Sequence, residues 1–206
     1  MHSLNRNIKV IRNFIFLVIL FLGFINAIEN PEIPKKLSTP VSFELHSKYS
    51  LTIPFLQNDF IGFKEALAFK ESQGKYRVIN TLGYLGKYQF GVKTLERFKI
   101  YNTKLFLHDP ELQERVFIAY CKVNKWILRK DIYRSVGKII NGVEITESGI
   151  LAAAHLSGAG NVKKYLRSNG NKNLSDAYGS SIACYMKNFA GYDLSFIKAD
   201  RKASIE

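Results

Sequence analysis

Apolar side chains recur at three- and four-residue steps over most of the chain after residue 58, and this spacing predicts a mostly helical domain. A first helix is predicted to begin at Asn58 or Asp59, either of which can cap it, and to end near Glu71. Asp109-Pro110 predicts the start of a long helix that runs to about Arg129, because proline suits the first helical position. Further helices are predicted over 92–100, 131–140, 147–156, 161–167 and about 176–189.

Glycines interrupt the pattern between the first two helices, at positions 74, 83, 86 and 91. The residues YRVIN within this stretch predict a short strand, so a small irregular or β-containing lobe is expected beside the helices. Asn141-Gly142 is interpreted as the stop of the helix over 131–140. The helix over 147–156 is apolar all round, which predicts a central, buried position. The fold class expected is therefore mostly α, in the α+β sense, with one helical core domain.

The pattern divides residues 28–206 into three segments. Residues 58–192 are predicted to form the domain, and 193–206 a C-terminal tail. Residues 28–57 carry four prolines and few periodic apolar positions, which is typical of an extended arm.

The first 27 residues resemble an export signal. Three cations precede an apolar run from Phe14 to Ile25, and Ala27 offers a small residue for cleavage. The run is short for a membrane-spanning helix, which needs about 20 residues. An uncleaved N-terminal anchor stays open as the alternative. Either interpretation places the domain outside the cytoplasm, in the periplasm, in the cell envelope or secreted.

The chain is strongly basic, with a formal net charge of +13 that falls to +10 without residues 1–27. An apolar content of 47% provides a core and argues against a disordered protein. The lysines and arginines are scattered rather than clustered between aromatics, so we expect no nucleic-acid partner. For an exported protein, anionic wall polymers or the membrane surface are better candidates, and a generically basic surface is the simpler alternative.

Cysteine and histidine patterns give little chemistry. Cys121 and Cys184 are the two cysteines, and one disulfide or two free thiols are both open. No cluster with zinc-ligand spacing appears, so no metal and no cofactor are expected.

Glu71 is the main candidate for chemistry. It lies where an apolar helix (FIGFKEALAFKE) ends, and there a negative charge meets the unfavourable end of the helix dipole. Apolar neighbours likewise favour the protonated carboxyl, which is what a general acid needs to protonate a glycosidic oxygen. A surface glutamate at a helix end is the alternative from this feature alone.

The residues that follow Glu71 resemble the catalytic motif of the soluble-type lytic transglycosylase domain, in the lysozyme-like superfamily shared with goose-type lysozyme. That motif has a Glu-Ser pair at a helix end and then a Gly-x-x-Gly-x-x-Gln block. Here Glu71-Ser72 is followed by Gly83, Gly86 and Gln89, at offsets of 12, 15 and 18 residues from the glutamate.

A second block of the family, Ala-Ala-Tyr-Asn-x-Gly-x-Gly, is similar to residues 153–160. His155 stands here in place of the tyrosine and Leu156 in place of the asparagine, while the two glycines are kept. A weaker third block of tyrosines is similar to Tyr185. The resemblance covers residues 60–190.

The resemblance implies a role for each matched residue. Glu71 would act as acid and then as base, Ser72 would hydrogen-bond near it, and Gln89 would bind substrate or orient Glu71. Gly83 and Gly86 would let the loop backbone approach the glycan. His155 is expected either to hydrogen-bond a sugar or to be a core histidine. Aromatic candidates for stacking on a sugar ring are Tyr76, Tyr84, Tyr88 and Tyr185, with plain packing as the alternative for Tyr88.

The function expected from the resemblance is cleavage of the MurNAc-GlcNAc β-1,4 bond of peptidoglycan by an exported, monomeric enzyme. Between residues 72 and 95 there is no second carboxylate, which favours a lytic transglycosylase with anhydromuramyl products over a hydrolysing muramidase. A distant Asp or Glu could still fold into place. A catalytically weak wall-binding module and a basic membrane- or nucleic-acid-associated protein are the other function classes.

Overall fold

A computed structural model describes residues 57–205, which form a mostly helical unit. Its helices and strands are α1 Phe60–Ser72, α2 Val92–Arg97, α3 Thr103–His108, α4 Pro110–Ser135, β1 Ile139–Ile140, β2 Val143–Glu144, α5 Glu147–Ser157, α6 Ala159–Arg167 and α7 Ile182–Asn188. The mostly α fold class is confirmed. The predicted signal over 1–27 and the arm over 28–57, apart from Gln57, lie outside the described residues.

Side-chain caps begin three of the helices at the predicted positions. Asp59 Oδ1 accepts a hydrogen bond from the Gly62 amide at 2.8 Å, and Asp109 Oδ1 accepts one from Leu112 at 2.8 Å. Thr146 Oγ1 does the same for Gly149 at 3.1 Å. Each cap satisfies one amide that the first helical turn leaves without a partner.

Helix α5 is the central element, as its apolar sequence predicts. It packs against α4, α6 and α7, and its residues from Ile150 to Ala154 are at most 2% exposed. Gly149 marks the closest approach, because a Cβ atom there would lie 2.5 Å from the carbonyl oxygen of Met186 in α7. The absence of a side chain thus lets α7 lie directly on α5.

The prediction of a helix over 131–140 holds for residues 131–135 and is wrong for residues 136–140. Helix α4 continues without a break to Ser135, and residues 139–144 form a small antiparallel hairpin in which Ile140 pairs with Val143. Asn141 and Gly142 have φ of +49° and +76°, which is the conformation of a two-residue hairpin turn. An Asn-Gly pair between apolar residues signals a hairpin at least as strongly as a helix stop.

Smaller differences concern element bounds. Helix α3 was not predicted, and α7 begins at Ile182 rather than near 176 because Asp176 caps a turn there. The strand expected in YRVIN is reduced to a single bridge between Ile79 and Leu85.

The segment predicted as a tail, 193–206, contributes to the core up to the last described residue, 205. Leu194 and Ile197 are 3% and 0% exposed, because the chain turns back over the helices after α7. No helix among residues 57–205 is long and apolar enough to cross a membrane. Cys121 is buried and Cys184 exposed, and both are free thiols.

Candidate functional site

A cleft of about 360 Å³ lies beside the end of α1. Three parts of the chain line it: the end of α1 with the loop that follows, the junction of α5 and α6, and the loop before α7. The lining residues are Glu71, Asn80, Leu82, Tyr84, Gln89, His155, Leu156, Ser157, Asn161, Leu174, Ser175, Asp176, Ala177 and Tyr178. The size is that of small-ligand sites in proteins.

Glu71 presents a half-buried carboxylate to this cleft. The hydroxyl of Tyr185, on α7, donates a hydrogen bond of 2.8 Å to Glu71 Oε1. Burial raises the pKa of Tyr185, and the neighbouring Glu71 and Asp176 carboxylates raise it further, so this hydroxyl remains a donor. Tyr185 is 2% exposed and therefore orients Glu71 rather than offering a ring to a sugar.

The loop between α1 and α2, residues 73–91, is called the glycine loop, and three of its glycines have a positive φ. Gly83 and Gly86 have φ of +82° and +75°, a region that side chains other than glycine rarely adopt. Gly86 also lies directly against the side chain of Gln113 on α4, where a Cβ atom would collide. Gln113 Oε1 in turn accepts the amide of Lys87 at 2.8 Å, so the loop is fixed to α4.

Gln89 lines the cleft, and its own backbone is strained. Its φ is +50°, and its side-chain Nε2 donates to the Gly86 carbonyl at 2.7 Å. This bond commits one end of the amide to the loop. Gln89 thus lines the cleft, where contact with a ligand stays a prediction, but among the described residues it makes no hydrogen bond to Glu71, which is held by Tyr185.

Ser72 lies next to Glu71 but is not among the residues that line the cleft. Its hydroxyl donates to the Lys87 carbonyl at 2.7 Å and accepts from the Lys75 amide at 3.0 Å. Ser72 thus ties the end of α1 to the glycine loop, which positions Glu71 against that loop.

The tyrosines of the loop divide into two groups. Tyr84 is 43% exposed and lines the cleft, as expected of a stacking residue. Tyr88, predicted to bind substrate, is wholly buried: its ring stacks on Phe117 at a centroid distance of 4.0 Å. The alternative of plain packing applies to Tyr88, and Tyr76 likewise turns its hydroxyl to Glu114, at 2.8 Å.

A charge network supports the loop from behind. Lys87 Nζ lies 2.8 Å from both Glu65 and Glu114, and Lys64 lies 2.6 Å from Glu114. Tyr88 Oη also donates to Glu114, at 2.8 Å. Burial alone would raise the pKa of Glu114, but these hydrogen bonds outweigh it and lower that pKa to about 2.

His155 joins α5 to the loop. Its Nε2 lies 2.7 Å from the Tyr88 carbonyl, and because a carbonyl only accepts, Nε2 carries the proton. The ring packs edge-on against Phe90 and Tyr120, while Nδ1 is buried and has no hydrogen-bond partner among the described residues. His155 is therefore a packed histidine that also forms part of the cleft wall.

Several lining residues were not identified from the sequence. Asn161 lies in the first turn of α6, five residues after Leu156, and its Nδ2 donates a hydrogen bond to the Ser157 carbonyl at 2.9 Å. The sequence feature that could have identified Asn161 is its position directly after the Gly-Ala-Gly of the second block. Asp176 and Tyr178 come from a distant loop and gave no local signal.

The loop before α7 brings a second carboxylate to the cleft. Asp176 Oδ1 accepts the amides of Tyr178 and Ser180 at 2.9 and 2.7 Å. The Tyr178 hydroxyl then meets Thr81 Oγ1 at 2.7 Å, which joins this loop to the loop that follows α1.

Among residues 57–205, no group of three or more His, Cys, Asp or Glu side chains could hold a metal ion. The cleft thus holds two carboxylates: Glu71, oriented by the Tyr185 hydroxyl, and Asp176, held by two backbone amides. Comparison with protein-family models, with curated proteins and with solved structures gave no match to this chain.

Proposed function

We propose that this protein is an exported peptidoglycan-cleaving enzyme, a lytic transglycosylase of lysozyme-like fold. The observation that carries the proposal is the Glu71 carboxylate, which lies in a 360 Å³ cleft with Oε1 held by Tyr185. Gln89 of the family-like motif lines the same cleft, and Gly83 and Gly86 have the positive φ that the motif's glycines permit. Export is proposed from residues 1–27 alone.

In the proposed reaction Glu71 protonates the glycosidic oxygen as the bond to the muramyl C1 breaks. Tyr185 occupies Oε1, and no described residue hydrogen-bonds Oε2, so Oε2 is the oxygen that would carry the proton. The muramyl 6-hydroxyl then attacks C1 and returns its proton to Glu71, which gives the anhydro product without water. The substrate's N-acetyl oxygen would stabilise the positive charge in between.

Hydrolysis of the same bond is the second candidate, and Asp176 is the observation that favours it. No Asp or Glu lies between residues 72 and 95, but Asp176 reaches the cleft from another loop. A second carboxylate could activate water or stabilise the intermediate. Because Oδ1 of Asp176 already accepts hydrogen bonds from two backbone amides, we propose transglycosylation ahead of hydrolysis.

Mass spectrometry of the soluble products from isolated sacculi tests both proposals. We expect anhydromuramyl ends from the wild type and a loss of about 10²- to 10⁴-fold in rate for Glu71→Gln, the usual share of a general acid-base group. Glu144→Gln, an exposed glutamate on β2 outside the cleft, is the control and should keep full activity.

The other outcomes separate the alternatives. Reducing ends that disappear in Asp176→Asn would establish hydrolysis with Asp176 as the second carboxylate. Binding to sacculi without release of muropeptides would instead support a wall-binding module. Full activity of Glu71→Gln would show that Glu71 is not the general acid.

A further inference from the structure

A second cavity, of about 370 Å³, lies between the end of α2 and the C-terminal segment. It shares no lining residue with the cleft. Half of its lining residues are cations, Arg97, Lys99, Arg201 and Lys202, and the others are Phe98, Ala203, Ser204 and Ile205. No carboxylate is among them.

The four cations have no carboxylate partner and no side-chain hydrogen-bond acceptor in the described part of the chain. None forms an ion pair with a carboxylate of residues 57–205, and none of their side-chain nitrogens donates to a protein acceptor there. Their sequence neighbour Asp200 uses Oδ1 to accept the Lys202 amide at 2.8 Å. Among residues 57–205, no carboxylate of the lining balances this positive charge, which attracts anions.

The backbone around these cations is well supported. Phe98 is 6% exposed and fixes the end of α2, and Lys99 follows it with φ of +61°. On the opposite side Ile205 packs against the core, and the Arg201 guanidinium lies 5.2 Å from the ring of Trp126. The charges are thus held on two anchored segments rather than on a free terminus.

We propose that this cavity binds a phosphate group of a phosphoester ligand. Guanidinium groups match phosphate oxygens in bidentate geometry, and two arginines and two lysines supply both directional donors and charge. The volume is that of a small-ligand site, larger than a lone phosphate ion needs, so a phosphodiester or pyrophosphate fits the space. The inference does not rest on the proposed glycan chemistry, because the two cavities are separate.

Isothermal titration of the full chain with pyrophosphate tests the site. The double variant Arg97→Gln/Lys202→Gln should raise Kd at least about tenfold, since it removes two charge-assisted contacts. The control is Lys104→Gln/Lys172→Gln, which removes the same charge from two exposed lysines outside the cavity. All four side chains are exposed, so both variants should keep the unfolding temperature of the wild type.

A second pair of titrations identifies the source of the phosphate. Glycerol phosphate represents a soluble or polymeric phosphoester, and phosphatidylcholine vesicles with and without phosphatidylglycerol represent a lipid headgroup. The source is the probe that binds the cavity variant more weakly than the wild type and binds the control variant as tightly as the wild type. Equal losses in both variants, or no binding by the wild type, would overturn the proposal.

Discussion

The hydroxyl of Tyr185 reaches across from α7 to the end of α1 and is the one side-chain donor that the described residues give to Glu71. A buried neutral donor holds a carboxylate in a single orientation without neutralising it. On the proposed function Tyr185 is a positioning residue, and its removal should affect the chemical step more than substrate binding.

For Tyr185→Phe we expect kcat to fall about 10- to 100-fold with KM little changed, because a hydrogen bond to a charged group contributes about 1.5–3 kcal/mol. Steady-state rates of muropeptide release measure this. Tyr165→Phe is the matched control, since the Tyr165 hydroxyl is buried and has no hydrogen-bond partner among residues 57–205, so its loss should be neutral or stabilising. A fall in both variants would point to a general effect of removing a buried hydroxyl.

Local spacing in the sequence located Glu71, the proposed acid, but not the residues that surround it. Glu71 and Gln89 lie within one stretch of chain, so local spacing could predict them. Asp176 and the Tyr185 bond depend on a contact that spans more than a hundred residues, which no local pattern encodes. Tyr88 was assigned to the cleft because it precedes Gln89, whereas its backbone turns the ring inward onto Phe117.

Among the elements, α4 carries the support of the glycine loop. Glu114 on α4 accepts hydrogen bonds from two lysines and two tyrosines, and it is the acceptor through which α1, the loop and α4 are joined. Such a network is costly to break, because its remaining charges are left without partners.

Glu114→Gln should lower the free energy of unfolding by about 3 kcal/mol, measured by urea denaturation, the low end for a broken buried ion pair. Glu111→Gln on the same helix is the control: its side chain is 83% exposed and its ion pair with Arg115 contributes at most about 0.5 kcal/mol. Similar values for the two variants would contradict the role given to Glu114.

The same carboxylate sets a pH dependence. Its pKa is depressed from 4.5 to about 2 in the folded chain, so its contribution is complete above pH 4.5 and is lost as the pH falls towards 2. The unfolding free energy of Glu114→Gln should therefore be less sensitive to acid over this interval than that of the wild type. Parallel acid dependences would exclude this group as the source.

Helix α5 and helix α7 meet through Gly149. Gly149→Ala would force the Met186 carbonyl away and shift α7, which carries Tyr185, so we expect lower stability and lower kcat together. Gly160→Ala on α6 meets no atom within 4 Å and should stabilise the fold by about 0.5 kcal/mol with unchanged rates. Thermal unfolding and product release measure both; a harmless Gly149→Ala would show that α7 can move freely.

The starts of three helices were predictable because Asp59, Asp109 and Thr146 form local caps. The change from helix to hairpin after Ser135 was not predictable, since a short apolar stretch suits either a helix or a strand and contacts with the rest of the fold decide between them.

For the molecule as a whole, the walls of the cleft form a closed circuit. A hydrogen bond from His155 joins α5 to the loop after α1, and α6 follows α5 directly in the chain. The loop before α7 is joined back to the loop after α1 by the hydrogen bond between Tyr178 and Thr81. Length and composition predicted a single core, but this circuit depends on two hydrogen bonds between distant segments and could not be predicted from the sequence.

Tyr178→Phe removes one bond of this circuit, worth about 1 kcal/mol, and should raise the share of open loops several-fold. The early products from sacculi should then be longer, which chromatography of soluble glycans by size detects. Tyr133→Phe, at a side chain 90% exposed and outside the cleft, should leave the product sizes unchanged. Identical size profiles for all three proteins would contradict a gating role.

The Thr81–Tyr178 bond has a consequence for how a polymer enters. On the proposed function, a strand that passes beneath the joined Thr81 and Tyr178 side chains either waits for the bond to open or enters from a free end. A strand that enters from a free end would be trimmed unit by unit, so the proposed enzyme would shorten glycans progressively rather than cut them at random.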